Sequence, residues 1–476
     1  MMRSSDYLGV PIPSPPWREG GARNARVRSV CGFDDQEPAQ LPMEGFWRSY
    51  SARHENYLRE DRVLVAMVRR PHAGLGDALN GLASAFFLSV LLNRTLLVEK
   101  APLVASLFMP AFVDWRIRGQ MHSCVEAARN IRLPFPELSS LESEAGALAV
   151  NVYDIMDTTS FWTFSNAHSN AAIDFWTELY MKGCALRFLF ALHPEVVSHS
   201  RSVTLLNSAG EEASVYGALF GKSSNTTALT TYMFGVQLRW GDRWTFVNHS
   251  EDVRLGAPRS VFESAVFCVT NLFLMRRQMD SEADVHFNVL VASDLHLARS
   301  QAVKGVFMHG VSMLSVNISP NHTGLILDEH EQQHGFAALS GSTFRRLVDQ
   351  LIDLLMLASA NSLLLSGTRA WISQSCSPYR PSTSCNYGLF AQRPSRFALL
   401  AIVFGLHEPS NVRFLTSDCS FSVTAMVAAD SWRSEEDNTR SDFPRESEPP
   451  SFHRLALTME FARVQSVLQS GHASRV

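Results

Sequence analysis

Residues 61–100 hold the feature that most limits what this chain can fold into. The run DRVLVAMV is short, apolar and rich in valine, the pattern of a strand. It leads through RRPHAGLGDAL, with glycines at 74 and 76, into a segment where Leu75, Leu79, Leu82 and Phe86 recur at helical spacing. A second β-rich run, TLLVEK, follows. Strand, glycine turn, helix and strand in that order predict a parallel-sheet α/β unit, because a crossover helix lets consecutive strands point the same way.

A second series of the same kind opens at TYMFGVQL, which reads as a strand. Residues 261–278 have helical periodicity, VHFNVLVASD (285–294) is a strand ending in a polar turn, and GVSMLSVNIS is a further strand candidate. Residues 344–360 place Leu347, Leu351, Leu354, Leu355 and Ala358 on one helical stripe, with Asp349 and Asp353 expected on the polar face. SLLLSGTRAWIS reads as a strand leaving into a Ser/Thr/Gly turn, and FALLAIVFGL (397–406) as a buried strand. Two such series around a less regular, aromatic-rich middle predict an α/β fold of two Rossmann-like domains facing each other. The expected divisions are a disordered arm over 1–55, a first domain over 56–215 and a second over 216–430. An acidic linker and an amphipathic helix (452–469) are expected to fill 431–476. Ligands in such sheets bind beyond the carboxyl ends of the strands.

Composition removes several function classes. The 476 residues are 46% hydrophobic and 18% charged with a formal net charge of -4, which is globular and lacks the basic balance of a general nucleic-acid binder. An anion would have to be held by a local cluster. Seven scattered cysteines show no CxxC pair and no zinc spacing, so no metal site is expected. Cys376 and Cys385 read equally as a short disulfide or as two free thiols. No apolar run approaches the roughly 20 residues that span a bilayer, and residues 1–40 show neither signal peptide nor anchor. Sequons at Asn93, Asn225, Asn248, Asn317 and Asn321 suit a secreted or lumenal protein, and such triplets also arise by chance.

The stretch FGVQLRWGDRWTF concentrates cations and aromatics where a strand ends. A guanidinium at Arg239 can grip phosphate bidentately, and Gly241 lets backbone approach a ligand. An Arg239–Asp242 pair stabilising a turn, with the tryptophans in the core, explains the same letters.

Four segments in order carry a resemblance. GLGDALNGLASAFFLSVLLNRTLLVEK, then LRFLFALHPEV followed by GVQLRWGD, then VLVASD, then LLMLASANSLLLSGTRAWIS resemble the GDP-fucose-dependent fucosyltransferases. The chain is most similar to the plant xyloglucan type and its α1,2/α1,6 and protein O-fucosyl relatives, over residues 61–421. The resemblance implies a GT-B fold and an inverting, metal-independent transfer of L-fucose from GDP-fucose to a glycan or protein-linked hydroxyl. Arg239 then holds the donor pyrophosphate, with Gln237, Gly241 and Asp242 beside it. Gln237 stands where the family has histidine, and Trp240 where it has a second arginine. Asp294 would lie near the guanine, whose N1–H and amine a carboxylate can accept. Its other reading is a helix N-cap. Ser366, Gly367, Thr368 and Ser373 fall at the family's phosphate turn, an anion nest where a strand passes into a helix. Ala370 and Trp371 depart from that pattern. Gly74, Gly76 and Asp77 match the turn facing the cleft, though the glycines equally suit tight strand–helix packing. His72 reads as a surface residue. Asp77, with Asp157, is the candidate acceptor-side base, and the aromatic segment at 161–176 is a candidate for stacking sugar rings.

Two other readings stay open: a catalytically degraded nucleotide-sugar or glycan binder of the same fold, and a Rossmann oxidoreductase, for which GLGDAL lacks the third glycine. The resemblance implies a Golgi or secretory location, the missing leader a cytoplasmic one.

Overall fold

The computed structural model describes residues 31, 46–69, 74–99, 102–117, 121–131, 138–155, 175–207, 212–220, 232–238, 287–293, 299, 311–318, 341–365, 370–371, 388–389, 396–408 and 411–414. The first sheet joins β1 (Val63–Met67), β2 (Thr95–Val98), β4 (Arg129–Ile131) and β5 (Leu148–Asn151) in the order β2-β1-β5-β4. Its three pairings are parallel. Strand β3 (Phe108–Pro110) pairs antiparallel with β6 (Phe190–Leu192) as a separate ribbon.

The second sheet contains β7 (Thr204–Asn207), β8 (Glu212–Ser214), β9 (Tyr232–Leu238), β10 (Phe287–Ser293), β11 (Val311–Val316), β12 (Ser362–Leu365) and β15 (Val412–Phe414). Their order is β15-β12-β9-β10-β11-β7-β8. The first five strands are mutually parallel, and β7 and β8 extend the edge antiparallel. Mixed α/β architecture with parallel sheets is therefore present, as the strand–helix alternation required.

Helices cover these sheets: α1 (Phe46–Arg59), α2 (Leu75–Leu91), α3 (Val152–Ile155), α4 (Phe175–Leu189), α5 (Pro194–Ser200), α6 (Gly341–Ala358) and α7 (Arg396–Gly405). Leu75, Leu79, Leu82 and Phe86 are all fully buried, as their spacing predicted. Helix α2 also packs on α3, and a Cβ on Gly81 would lie 2.3 Å from the Val152 carbonyl oxygen. Only a residue without a side chain permits that approach. Among the described residues no helix is long and apolar enough to cross a membrane.

Three expectations change, and one crosslink is present that the sequence reading did not indicate. Residues 397–406 form most of α7, not a strand. Ala398, Leu400, Ala401, Ile402, Val403 and Phe404 have no exposed surface, so the helix is apolar all round and carries no periodic signal to distinguish it from a buried strand. The arm predicted to be disordered to residue 55 ends earlier, because Trp47, Tyr50 and His54 on α1 enter the core. Asp349 and Asp353 do not form a solvent face: Asp349 meets His199 at 2.9 Å and Asp353 is buried against Arg299. Lastly, Cys31 and Cys184, 153 residues apart, form a disulfide. The Trp47 indole donates to the Cys31 carbonyl at 2.5 Å, tying the crosslink to α1. The helix expected at 261–278, the linker from 431, the helix at 452–469, and Cys376 and Cys385 lie outside the described residues.

The α1 contact carries a pH dependence. His54 Nε2 lies 3.1 Å from the Asp114 carbonyl oxygen, so the ring holds its proton there, and Nδ1 is buried without a partner among the described residues. Burial lowers the ring's pKa from 6.5 to about 4. A depressed folded-state value means stability is complete above pH 6.5 and is lost as the pH falls from there toward 4, by about 3 kcal/mol in all. Denaturant melts across that window should show the loss in the native chain and a flatter profile in His54→Leu. Equal slopes in both would remove His54 as the cause.

Candidate functional site

The strand order of the second sheet locates a crevice. From β9 the chain passes to β10 and β11 on one side, then returns through β12 and β15 on the other. The order reverses between β9 and β12, and in open α/β sheets ligands bind at that switch point, beyond the carboxyl ends. Register makes the edge even: Gln237 pairs with Leu365 on one side and Ala292 on the other, and Leu238 pairs with Ser293. The strands β9, β10 and β12, which precede RWGDR, Asp294 and SGTR in the sequence, therefore end side by side at one level.

The opposite edge is locked. The Asn361 side chain accepts the Met233 N–H at 2.7 Å, the Asn361 N–H reaches the Met233 carbonyl at 2.7 Å, and Tyr232 and Ser362 hydroxyls meet at 2.5 Å. These bonds fix β9 against β12 at their starts and so fix the level at which both end.

Gln237 is the predicted site residue that the structure places most tellingly. It shares a face with Gly235, Ala292 and Leu365, the face that α6 covers. It is 5% exposed, and its Oε1 is buried without a hydrogen-bond partner among the described residues. An orphaned acceptor costs roughly 1–3 kcal/mol, an expense that a core glutamine beside leucines does not need to incur. It is a buried acceptor one residue from the carboxyl end of β9.

In the first sheet the corresponding edge lies where β1, β2 and β5 end, with order reversal between β1 and β5. Helix α2 begins at Leu75, with Gly74 as its N-cap, so Gly76 sits inside the first helical turn and not in a loop. The Gly74 N–H donates to Asp77 Oδ2 at 3.2 Å, while the Asp77 and Ala78 N–H groups both reach the Gly74 carbonyl at 3.1 Å. Asp77 thus has a structural duty as a reciprocal cap. Beside it, Arg69 after β1 pairs through both nitrogens with Glu99 after β2, which raises the Arg69 pKa, and Asn151 at the end of β5 donates to the Arg69 carbonyl at 3.2 Å. Sequence reading missed the Arg69–Glu99 pair. Its signal, charges at the ends of adjacent predicted strands, was present.

Arg239, Gly241, Asp242, Asp294, Ser366, Gly367, Thr368 and Ser373 lie outside the described residues, as do Trp240, His72 and Asp157. One part of the expected phosphate turn is described. Ala370 and Trp371 form the short strand β13, paired antiparallel with β14 (Gly388–Leu389), where a helix start was expected.

Of the five sequons, Asn93 and Asn317 are among the described residues. At the first, the Asn93 side chain donates to Glu142 at 2.5 Å and Thr95 is fully buried, its hydroxyl on the His54 carbonyl at 2.7 Å. Asn317 is exposed at the end of β11.

Comparison with known proteins finds matches among solved structures. No family model matches the chain, and no curated protein matches it. Among solved structures, the chain is similar to a mutant of Arabidopsis thaliana FUT1 in complex with GDP, at 12% identity and a TM-score of 0.42, over 78% of this chain and 76% of that one. It is also similar to the fucosyltransferase NodZ from Bradyrhizobium, at 16% identity and a TM-score of 0.32, over 64% of this chain and 87% of that one. NodZ soaked with GDP-fucose matches at 15% identity with a TM-score of 0.33. The structural neighbours are fucosyltransferases.

Replacing Gln237 by methionine keeps the shape and removes the orphaned acceptor, so the ligand-free protein should gain about 1 kcal/mol in a denaturant melt. A loss of stability would show that the amide is already satisfied and is not waiting for a ligand.

Proposed function

We propose that this chain is an inverting GT-B fucosyltransferase that moves L-fucose from GDP-fucose to a hydroxyl of a glycan or a protein-linked sugar. The observation that carries this reading is the convergence of three resemblance-bearing segments on the switch point of a parallel sheet, around the buried orphan acceptor of Gln237. Under the reading, the two parallel sheets belong to the two facing Rossmann-like domains, with the donor on the second and the acceptor on the first.

Arg239, the second residue after Gln237, grips the pyrophosphate, and Gly241 and Asp242 shape its turn. As the glycosidic bond breaks, positive charge grows on the fucosyl ring and negative charge on the leaving phosphate. A fixed guanidinium lowers the barrier where that negative charge develops, which is the role a metal plays elsewhere, so no metal is required. Asp294 takes the guanine edge, and Ser366, Gly367, Thr368 and Ser373 the phosphate oxygens. Gly74 and Gly76 let backbone approach from the acceptor side. Asp77 is the candidate base for the acceptor hydroxyl, a role it would combine with capping α2. The Cys31–Cys184 disulfide favours an oxidising compartment, in line with a secretory or Golgi location.

A second reading has its own observation. The short strand β13 stands where a phosphate-binding turn would pass into a helix, which removes one source of aligned N–H donors and favours a nucleotide-sugar binder without turnover.

Calorimetric titration with GDP, UDP, ADP and NAD, with Arg239→Ala as the control, tests the donor site. GDP alone should bind, and the mutant should lose binding. Turnover with acceptor should fall by a factor on the order of 10²–10³ in Arg239→Ala. GDP binding with no GDP released from GDP-fucose in the presence of acceptors would favour the binder. A folded chain that ignores GDP would overturn both readings.

A further inference from the structure

Asp353 and Arg299 form a buried pair that nothing in the proposed reaction uses. Arg299 Nη1 lies 3.1 Å from Asp353 Oδ1 and Nη2 lies 2.6 Å from Oδ2, a bidentate fork. Its Nε donates to the carbonyl of Ser293 at 2.7 Å. Both side chains are 7% exposed. One guanidinium therefore ties the middle of α6 to the last residue of β10, and that residue pairs with Leu238 across the edge where the proposed nucleotide lies.

A buried ion pair is a poor stability device. Desolvating the two charges offsets most of their attraction, and an apolar pair of the same volume is often as stable. What the pair supplies, and leucines do not, is orientation: three donors and three acceptors allow one geometry for the β10 carbonyl relative to α6. The neighbouring acid on the same helix face meets a helix instead of a strand end, since Asp349 pairs with His199 on α5.

We infer that Arg299 and Asp353 are positioning residues that set base selectivity, by holding the carboxyl end of β10 at the height at which it can meet the base of a bound nucleotide. The inference rests on the guanine-nucleotide reading above. Because the pair grips β10 and not β9, it acts on the base end of the ligand and leaves the pyrophosphate end alone.

The test uses the full chain with Asp353→Asn, which keeps the shape but loses the charge, and Arg299→Lys, which keeps the charge but loses the fork. Leu347→Ala, fully buried on the same helix, is the comparator for lost stability alone. Affinities for GDP, ADP and inorganic pyrophosphate are measured at a temperature where all are folded by circular dichroism. The preference for GDP over ADP should fall on the order of tenfold in both pair variants, with pyrophosphate affinity unchanged and Leu347→Ala retaining the native preference. Arg299→Lys answers the question if Asp353→Asn does not fold. Pair variants that keep the native preference, or that lose GDP and pyrophosphate binding in proportion, overturn the inference while leaving the donor site standing. A wild type that binds no GDP overturns the donor site and the inference with it.

Discussion

Helix α7 has no solvent face, and the helices of both sheets depend on it. It packs on α2 and α4 from the first half of the chain and on α6 from the second. The contact with α4 is backbone to backbone, since a Cβ at Gly183 would lie 2.5 Å from the Val403 carbonyl oxygen. Such closeness leaves the carboxyl end of α7 in a dry environment, where its carbonyls still need donors. Helix α4 provides them: Arg187 donates to the Phe404 carbonyl, and the Tyr180 hydroxyl to that of His407 at 2.9 Å. Burial lowers the Arg187 pKa only to about 10, so the guanidinium stays charged at neutral pH and faces the negative end of the helix dipole.

The disulfide joins this junction from the other side. Cys184 follows Gly183 on α4, and its partner Cys31 accepts from Trp47, whose ring stacks on Phe86 of α2 and lies 4.8 Å from that of Phe188 on α4. One crosslink thus fixes α1 against the same two helices that α7 covers. Loop-closure entropy makes the bond count for more when the residues it joins are far apart in sequence.

Much of this was legible in the residues, wherever the signal was local. The strand–helix–strand unit at 61–100, and strands β9 to β12, stand where apolar runs and helical stripes placed them. Features that depend on partners distant in sequence were not legible. No spacing rule joins Cys31 to Cys184. The helical positions of Asp349 and Asp353 read as a polar face because periodicity cannot see His199 or Arg299 arriving from other elements. Helix α7 failed for the opposite reason: with every face buried, it has no amphipathic period. At the site, the strand ends followed from the pattern and Gln237 was singled out by the resemblance, whereas the orphaned state of its Oε1 is visible only once three strands are aligned.

The charge balance now bears on where an anion can be held. At the first sheet's edge Arg69 is matched by Glu99, and elsewhere Arg116 is matched by Asp114 and Arg129 by Glu144. Arg94 is spent on the carbonyls of Leu141 and Glu144, and Arg187 on that of Phe404. At the second sheet's edge Arg299 is matched by Asp353. Under the proposed function, the cation for a nucleotide diphosphate at the β9–β12 switch point comes from the segments that continue these strands, which the sequence writes as RWGDR after β9 and SGTR after β12. The net charge of -4 is no obstacle to this, because screening confines the relevant field to within about 10 Å, so that a local cluster of cations sets its sign.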